Sequence, residues 1–224
     1  MHVCLFDIDG TLVNTSGAGQ AAMQAALRTV LNVERAAEGI PTAGRTDYAI
    51  TADLFAHFQV EVSDDLWARF QAAYLEHLSS ELAQRSGRVL PGIVRLLEQL
   101  SGRGDVQLGL LTGNYRDGAR LKLEYFHLAE HFRFGAFGDC HVHRDDVARD
   151  ARRTVHQIAP GLPDDRLWVI GDTPADIQCG KAINARVVAV ATGSYNFSDL
   201  EAEQPEFLFR DLSEERRLLE LLNS

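Results

Sequence analysis

The sequence predicts an α/β protein: a parallel sheet wrapped by helices, with an all-helical insertion after the first strand. Two observations carry this. From Pro91 onward, short apolar runs (VQLGLL, LWVI, ARVVAVA, EFLF) alternate with helix-like segments, the order expected of a parallel sheet with helical crossovers. Residues 15 to about 85, by contrast, hold no convincing strand. The 224 residues fit one large domain or one domain with an insertion. The expected organisation is a discontinuous core of residues 1–14 and 86–224 and an inserted helical domain of residues 15–85.

The elements follow in order. Val3 to Phe6 form a short apolar run without alternation, as in a strand buried on both faces. GAGQAAMQAALRTVLNV is rich in Ala, Leu and Met at helical spacing. TDYAITADLFAHF and SDDLWARFQAAYLEHLSSELAQR are two further helices, each opening with a capping residue. PGIVRLLEQL reads as a helix with Pro91 in its first turn, followed by VQLGLL as a strand and YRDGARLKLEYF as a helix. HFRFGAF is a strand and DVARDARRTVHQIA a helix. LWVI, ARVVAVA and EFLF complete the sheet, with helices between or after them. There are no repeats, low-complexity segments or flexible linkers.

Composition narrows the function classes. The chain is 46% hydrophobic and 24% charged, an ordinary globular balance. A net charge of −10 argues against nucleic acid or an anionic membrane as partner. Lys122 and Lys181 are the only lysines; the remaining basic residues are arginines. The first strand meets Asp7 before a signal-peptide core could form, and no apolar run approaches the roughly 20 residues of a membrane helix. Cys4, Cys140 and Cys179 are odd in number and lack paired spacing, which suits reduced thiols in a cytoplasmic protein.

Three apolar strands end in polar signatures: VCLF into DIDGT, QLGLL into TGN, and LWVIG into DTPAD. Sites in open α/β sheets form beyond the carboxyl ends of strands, so the three can converge. Asp7 and Asp9, at i and i+2, face one way in extended chain, and two such close charges call for a cation. Asp7 can act as a nucleophile and Asp9 as a general acid and base, although two acidic residues opening a turn is the plainer alternative. Thr112, Gly113 and Asn114 offer a hydroxyl, a close-approach backbone and amide donors to phosphoryl oxygens; a helix cap is the competing reading. Asp172 is a hard oxygen ligand suited to Mg²⁺. Pro174 fits the first helical position, so Asp176 falls in the first turn, where an acidic residue is mildly stabilising in any case.

Other readings fail. As a calcium loop, the DxDG stretch would need a glutamate where Ala18 stands. GAGQAA fits the loose dinucleotide fingerprint, but Gly17 lies ten residues beyond Asp7 instead of turning directly off the strand. Cys140, His141 and His143 lack a second ligand cluster, so a polar loop is preferred over zinc.

Together, DIDGT, LLTGN and GDTPADI resemble the motifs of the haloacid dehalogenase superfamily of Mg²⁺-dependent phosphohydrolases, over essentially the whole chain. KLEYFHLAEHF and ARVVAVATGSY are similar to phosphoglycolate-phosphatase-type members. The resemblance implies a Rossmann-like three-layer core with residues 15–85 as its cap, and a phosphatase acting on a small phosphorylated metabolite. It implies Asp7 as nucleophile, Asp9 as acid and base, Thr112 and Asn114 on the phosphoryl group, and Mg²⁺ held by Asp7, the Asp9 carbonyl and Asp172 with support from Asp176. Having an acid at Asp9 favours phosphoryl transfer over dehalogenation. A sugar-phosphate mutase and a non-enzymatic sensor remain alternatives on the same scaffold.

The family usually carries a lysine before its last motif, and residues 123–180 contain none. Arg144 is the favoured substitute and Arg149 its rival, with Arg152 and Arg153 read as a solvated helix face. In the insertion, AGRTD combines a turn at Gly44, a fork for a carboxylate or phosphate at Arg45, and Asp47 as a helix cap with Thr46 as rival. Similar segments occur in the resembling phosphatases, so Arg45 is the expected reader of an anionic substrate, against the alternative of a surface charge.

Overall fold

In the computed structural model, which describes residues 1–35, 37 and 39–223, the apolar run at the N-terminus is the strand β1 (His2–Phe6), buried along its whole length. A two-residue strand β2 (Val13–Asn14) follows, then the helices α1 (Ala18–Leu31), α2 (Asp47–His57) and α3 (Asp64–Gln84). The chain returns through β3 (Arg88–Val89), which pairs antiparallel with β2. That ribbon holds the two ends of the helical segment side by side. It is too short to leave a periodic signal in the sequence.

Helix and strand then alternate: α4 (Ile93–Ser101), β4 (Val106–Leu111), α5 (Arg116–Tyr125), β5 (Phe134–Ala136), α6 (Arg144–Ile158) and β6 (Leu167–Gly171). They continue as α7 (Pro174–Ala182), β7 (Arg186–Val190), α8 (Phe197–Ala202), β8 (Phe207–Phe209) and α9 (Glu215–Leu221). Among the described residues, six parallel strands form one sheet in the order β5-β4-β1-β6-β7-β8. This is the expected Rossmann-like core, with β1 central. Alternation along β1 sends Cys4 and Phe6 into a cluster with Leu96, Leu97 and Leu100 of α4, and Val3 and Leu5 into another with Val147, Ala151 and Val155 of α6. Helices on both faces explain why the strands read as continuous apolar runs.

The helices α1–α3 form a third cluster of their own. Phe55 meets Phe70 edge-on at 5.1 Å and Trp67 at 5.4 Å, around Met23, Leu27 and Tyr74. Tyr115, the N-cap residue of α5, is buried in this same cluster, so the helical segment and the sheet are packed together.

Three local expectations need correction. Pro91 lies in the turn before α4, because Gly92 caps that helix at φ 82°, outside the helical region. Thr46, and not Asp47, caps α2: its hydroxyl accepts from the Ala49 N–H at 3.1 Å, and Asp47 is already the first helical residue. The strand expected over HFRFGAF is shorter, since Ala129–His131 turn as a 3-10 helix before β5 begins.

Gly92 also explains how the chain's end is fixed: a Cβ there would overlap the Leu212 carbonyl. Gly161 has a comparable φ of 77° but nothing within 4 Å of its missing Cβ. Gly161→Ala should therefore cost only the left-handed penalty of about 1–2 kcal/mol. Gly92→Ala should cost distinctly more, read as a larger drop in the urea unfolding midpoint; equal drops would show that the Leu212 contact relaxes freely.

Candidate active site

The three polar signatures lie beyond the ends of neighbouring strands: Asp7 and Asp9 after β1, Thr112 to Asn114 after β4, and Asp172 after β6. Register fixes the first, since the Asp7 N–H donates to the Ile170 carbonyl at 3.0 Å. The turn after Asp9 needs Gly10 at φ 85°, and a Cβ there would collide with the Asp172 carboxylate. A Cβ on Gly193, just beyond β7, would collide with the same carboxylate. The Asp172 carboxylate accepts from the Thr11 hydroxyl at 2.9 Å.

Two cations meet this acidic group. Arg144, in the first turn of α6 and 8% exposed, reaches Asp7 Oδ1 with Nη1 at 3.4 Å. Its Nη2 pairs with Asp176 Oδ1 and donates to the Leu111 carbonyl. Asp176 is held in turn by a capping box, accepting from the Thr173 N–H at 3.1 Å and the Thr173 hydroxyl at 2.7 Å. Lys122, from α5 and 3% exposed, donates to Asp9 Oδ2 and to Asn114 Oδ1, both at 2.5 Å. The Asn114 amide nitrogen bridges Asp9 Oδ2 at 3.0 Å and the Thr112 hydroxyl at 2.7 Å. Asp9 is thus gripped from two sides.

Charge remains uncompensated even so. Burial, and then repulsion from Asp176, push the Asp7 carboxyl up to about 7 against the pull of Arg144 and a hydrogen bond from Thr112. Burial, with Asp176 and Asp7 nearby, raises Asp172 well above the carboxylate range. Oxygens of Asp7, Asp172 and Asp176 lie within 4.8 Å of one another. A buried set of hard oxygen donors with too little positive charge fits a divalent cation such as Mg²⁺. Asp7 and Asp172 are its available side-chain donors, because both Asp176 oxygens are engaged by Arg144 and Thr173.

Asp7, Asp9, Gly113, Asn114, Lys122, Arg144 and Asp172 line one cavity of about 390 Å³, within the usual range for a small ligand. Its other wall comes from the helical segment, with Gln20, Met23, Thr42, Arg45, Asp47 and Tyr74. Thr112 is fully buried beneath that surface and reaches it through Asn114.

Several residues differ from the expectation. The space beside Gly113 is filled by the Arg45 carbonyl, so the close approach this glycine permits is that of the helical segment to the sheet. The Asp47 N–H donates to the Gly113 carbonyl at 2.7 Å, and the Thr46 hydroxyl to the His141 carbonyl at 2.6 Å. Arg45 lines the cavity with its guanidinium paired to Asp53 at 2.5 Å. Arg149 pairs with Asp146 on the exposed face of α6, far from the role held open for it. His141 is occupied by Asp150 at 2.8 Å.

Lys122 escaped the sequence reading. Nothing in its sequence neighbourhood marks it: it stands one residue before the lysine-free stretch 123–180, inside an amphipathic helix. The sequence marks Asp47 only as a helix cap. Its carboxylate is 8% exposed, accepts from the Tyr115 N–H at 2.8 Å, and is pushed up to about 6 by burial against the pull of Lys122.

Comparison with known proteins agrees with this geometry. A family model described as haloacid dehalogenase-like hydrolase matches residues 4–190. A phosphoglycolate phosphatase from Rhodospirillum rubrum is 29% identical over 196 residues, covering 84% of this chain and 79% of its own. A probable phosphatase, IndB, from Dickeya dadantii is 26% identical, covering 94% of this chain and 90% of its own. The crystal structure of CbbY from Rhodobacter sphaeroides in complex with phosphate shares the fold at a TM-score of 0.76, with 19% identity and 96% of each chain covered. The chain belongs to the haloacid dehalogenase-like hydrolases and is a phosphoric monoester hydrolase of the phosphoglycolate-phosphatase-like kind.

Proposed function

We propose that the protein is a Mg²⁺-dependent phosphatase that hydrolyses a small phosphorylated metabolite through an aspartyl-phosphate on Asp7. The observation that carries this reading is the pair Asp7 and Asp9 opening into one cavity, each braced by its own buried cation, Arg144 and Lys122. An oxygen of Asp7 attacks phosphorus while the ester P–O bond breaks, and Asp9 gives its proton to the departing alcohol oxygen. Asp9, now a carboxylate, takes a proton from water; the water oxygen attacks phosphorus and the Asp7–phosphorus bond breaks, releasing inorganic phosphate. Asn114 and the Gly113 backbone steady the phosphoryl oxygens, and Arg144 holds Asp7 against its acidic neighbours. Lys122 fixes the direction of Asp9 toward the leaving oxygen. A divalent cation bound by Asp7, Asp172 and the Asp9 carbonyl would supply the missing positive charge, with Asp176 acting through Arg144. Residues 15–85 serve as a cap that shields the reaction from bulk water. Free Cys4 and Cys179, both buried, fit a reducing cytoplasm.

Asp7→Asn should abolish steady-state turnover of p-nitrophenyl phosphate while leaving circular dichroism and the unfolding midpoint close to wild type. Asp9→Asn should lose about 10²–10⁴-fold in kcat. Near-normal turnover by folded Asp7→Asn would refute the covalent route.

Activity should disappear with a chelator and return with added Mg²⁺; persistence after exhaustive metal removal would contradict the metal assignment. Arg144→Met should lower kcat at least tenfold, because it frees the buried charges of Asp7 and Asp176. Arg149→Met, which removes only an exposed ion pair, should leave kcat unchanged.

A further inference from the structure

Gly19 stands where the fold does not require a glycine. It is the second residue of α1, in an Ala-rich stretch, and its φ lies outside the left-handed region. A Cβ there would overlap nothing: its nearest neighbours would be Lys122 Nζ at 3.6 Å and the Tyr74 hydroxyl at 4.0 Å, both ordinary contacts. Alanine is also the better helix former. What the missing side chain leaves is space, because Gly19, Lys122 and Tyr74 line the active-site cavity together with Asp9 and Asp47.

Unused hydrogen-bonding capacity meets that space. Among the described residues, Lys122 Nζ gives two of its three N–H groups, to Asp9 Oδ2 and Asn114 Oδ1, and keeps one. Asp47 Oδ2 accepts from the Tyr115 N–H, while Oδ1 has no hydrogen-bond partner among the described residues and is not closed off from solvent. The Tyr74 hydroxyl is 3.5 Å from Asp47 Oδ2, beyond the usual range for two oxygens, so it can turn to a ligand. Lys122 and Asp47 are close enough for their charges to act on one another. One spare donor near one spare acceptor matches a hydroxyl, which accepts from the first and donates to the second. A carboxylate only accepts and would face Asp47; an ammonium only donates and would face Lys122. Arg45, on the same wall, is already paired with Asp53.

We propose that Gly19 keeps open a leaving-group subsite bounded by Lys122 Nζ, Asp47 Oδ1 and the Tyr74 hydroxyl. The natural substrate is then the phosphomonoester of an uncharged polyol, whose hydroxyl on the carbon next to the ester carbon is held there. The inference rests on the phosphatase reading above and adds the leaving group to it. Placement follows from Asp9, which protonates the leaving oxygen and has Lys122 Nζ 2.5 Å from its Oδ2. A group one carbon beyond the ester carbon therefore reaches Lys122 and, past it, Asp47. Gly19 determines specificity through the side chain it lacks.

The test compares, with the full-length protein and Mg²⁺, four esters of similar size that differ at the far end: 2-hydroxyethyl phosphate, propyl phosphate, O-phosphoethanolamine and 2-phosphoglycolate. Methyl phosphate, too short to reach the subsite, and p-nitrophenyl phosphate are the references. kcat/KM for 2-hydroxyethyl phosphate should exceed that for each of the other three by about tenfold, as for a hydrogen bond to a charged group. Gly19→Ala should unfold at a midpoint no lower than wild type, yet cut the ratio of 2-hydroxyethyl to methyl phosphate by about tenfold, because its methyl group occupies the subsite. Asp47→Asn keeps an oxygen for the Tyr115 N–H and turns the free atom into a donor, so the ratio of 2-phosphoglycolate to 2-hydroxyethyl phosphate should rise by about tenfold. A merely structural role for Asp47 would lower all the esters together. If 2-hydroxyethyl phosphate does not lead the four, or if either variant leaves its ratio unchanged, the inference is overturned while turnover of p-nitrophenyl phosphate still upholds the phosphatase. Failure to hydrolyse any ester, p-nitrophenyl phosphate included, would overturn the phosphatase reading and this inference with it.

Discussion

Everything at the site depends on one buried guanidinium. Arg144 stands between Asp7 and Asp176 with side-chain exposure of 7%, against 11% and 2% for its partners. Such a cluster costs desolvation for every member, and a buried ion pair is therefore poor evidence of stability. Its value lies in placement. Without Arg144, Asp7 just beyond β1 and Asp176 in the first turn of α7 would repel across a space that the parallel register holds narrow. The glycines belong to the same constraint: Gly10 and Gly193 admit the Asp172 carboxylate, and Gly171 has the Asp176 side chain where its Cβ would stand. The sheet packs four acids where solvent would never collect them, and the bases are spent on making that tolerable.

What was legible in the sequence follows from what is local. Apolar strands with helices on both faces announce themselves as runs, and the polar residue after each run marks its carboxyl end. Asp7, Thr112 and Asp172 were therefore readable. So was Arg144, because residues 123–180 hold no lysine and an arginine is left to supply the cation. Lys122 was not, because its importance comes from a contact 113 positions away with Asp9, made when α5 packs beside the central strand. Asp47 is opaque to sequence for the same reason: its partner is the Tyr115 N–H, 68 positions along. At Gly113 sequence supplied the need for close approach but not the approaching group, which is the backbone of Arg45. Gly92 shows the local version of this limit, since a positive φ leaves no trace in a hydrophobic pattern.

The segment AGRTD ties these threads together. Its backbone docks on the β4 loop through the Asp47 N–H and the Gly113 carbonyl, and its Thr46 hydroxyl reaches the His141 carbonyl just before α6. Those two loops carry Asn114 and Arg144. The Asp47 carboxylate completes the joint by accepting from the Tyr115 N–H, next to Asn114 in the chain. The helical-segment wall of the cavity is therefore bonded to the segments that carry Asn114 and Arg144, and neither can shift without disturbing the other. Lys122 strengthens the coupling: it touches Asp9 and Asn114 directly and is close enough to Asp47 to pull on its charge. The two walls of the cavity thus share one set of hydrogen bonds.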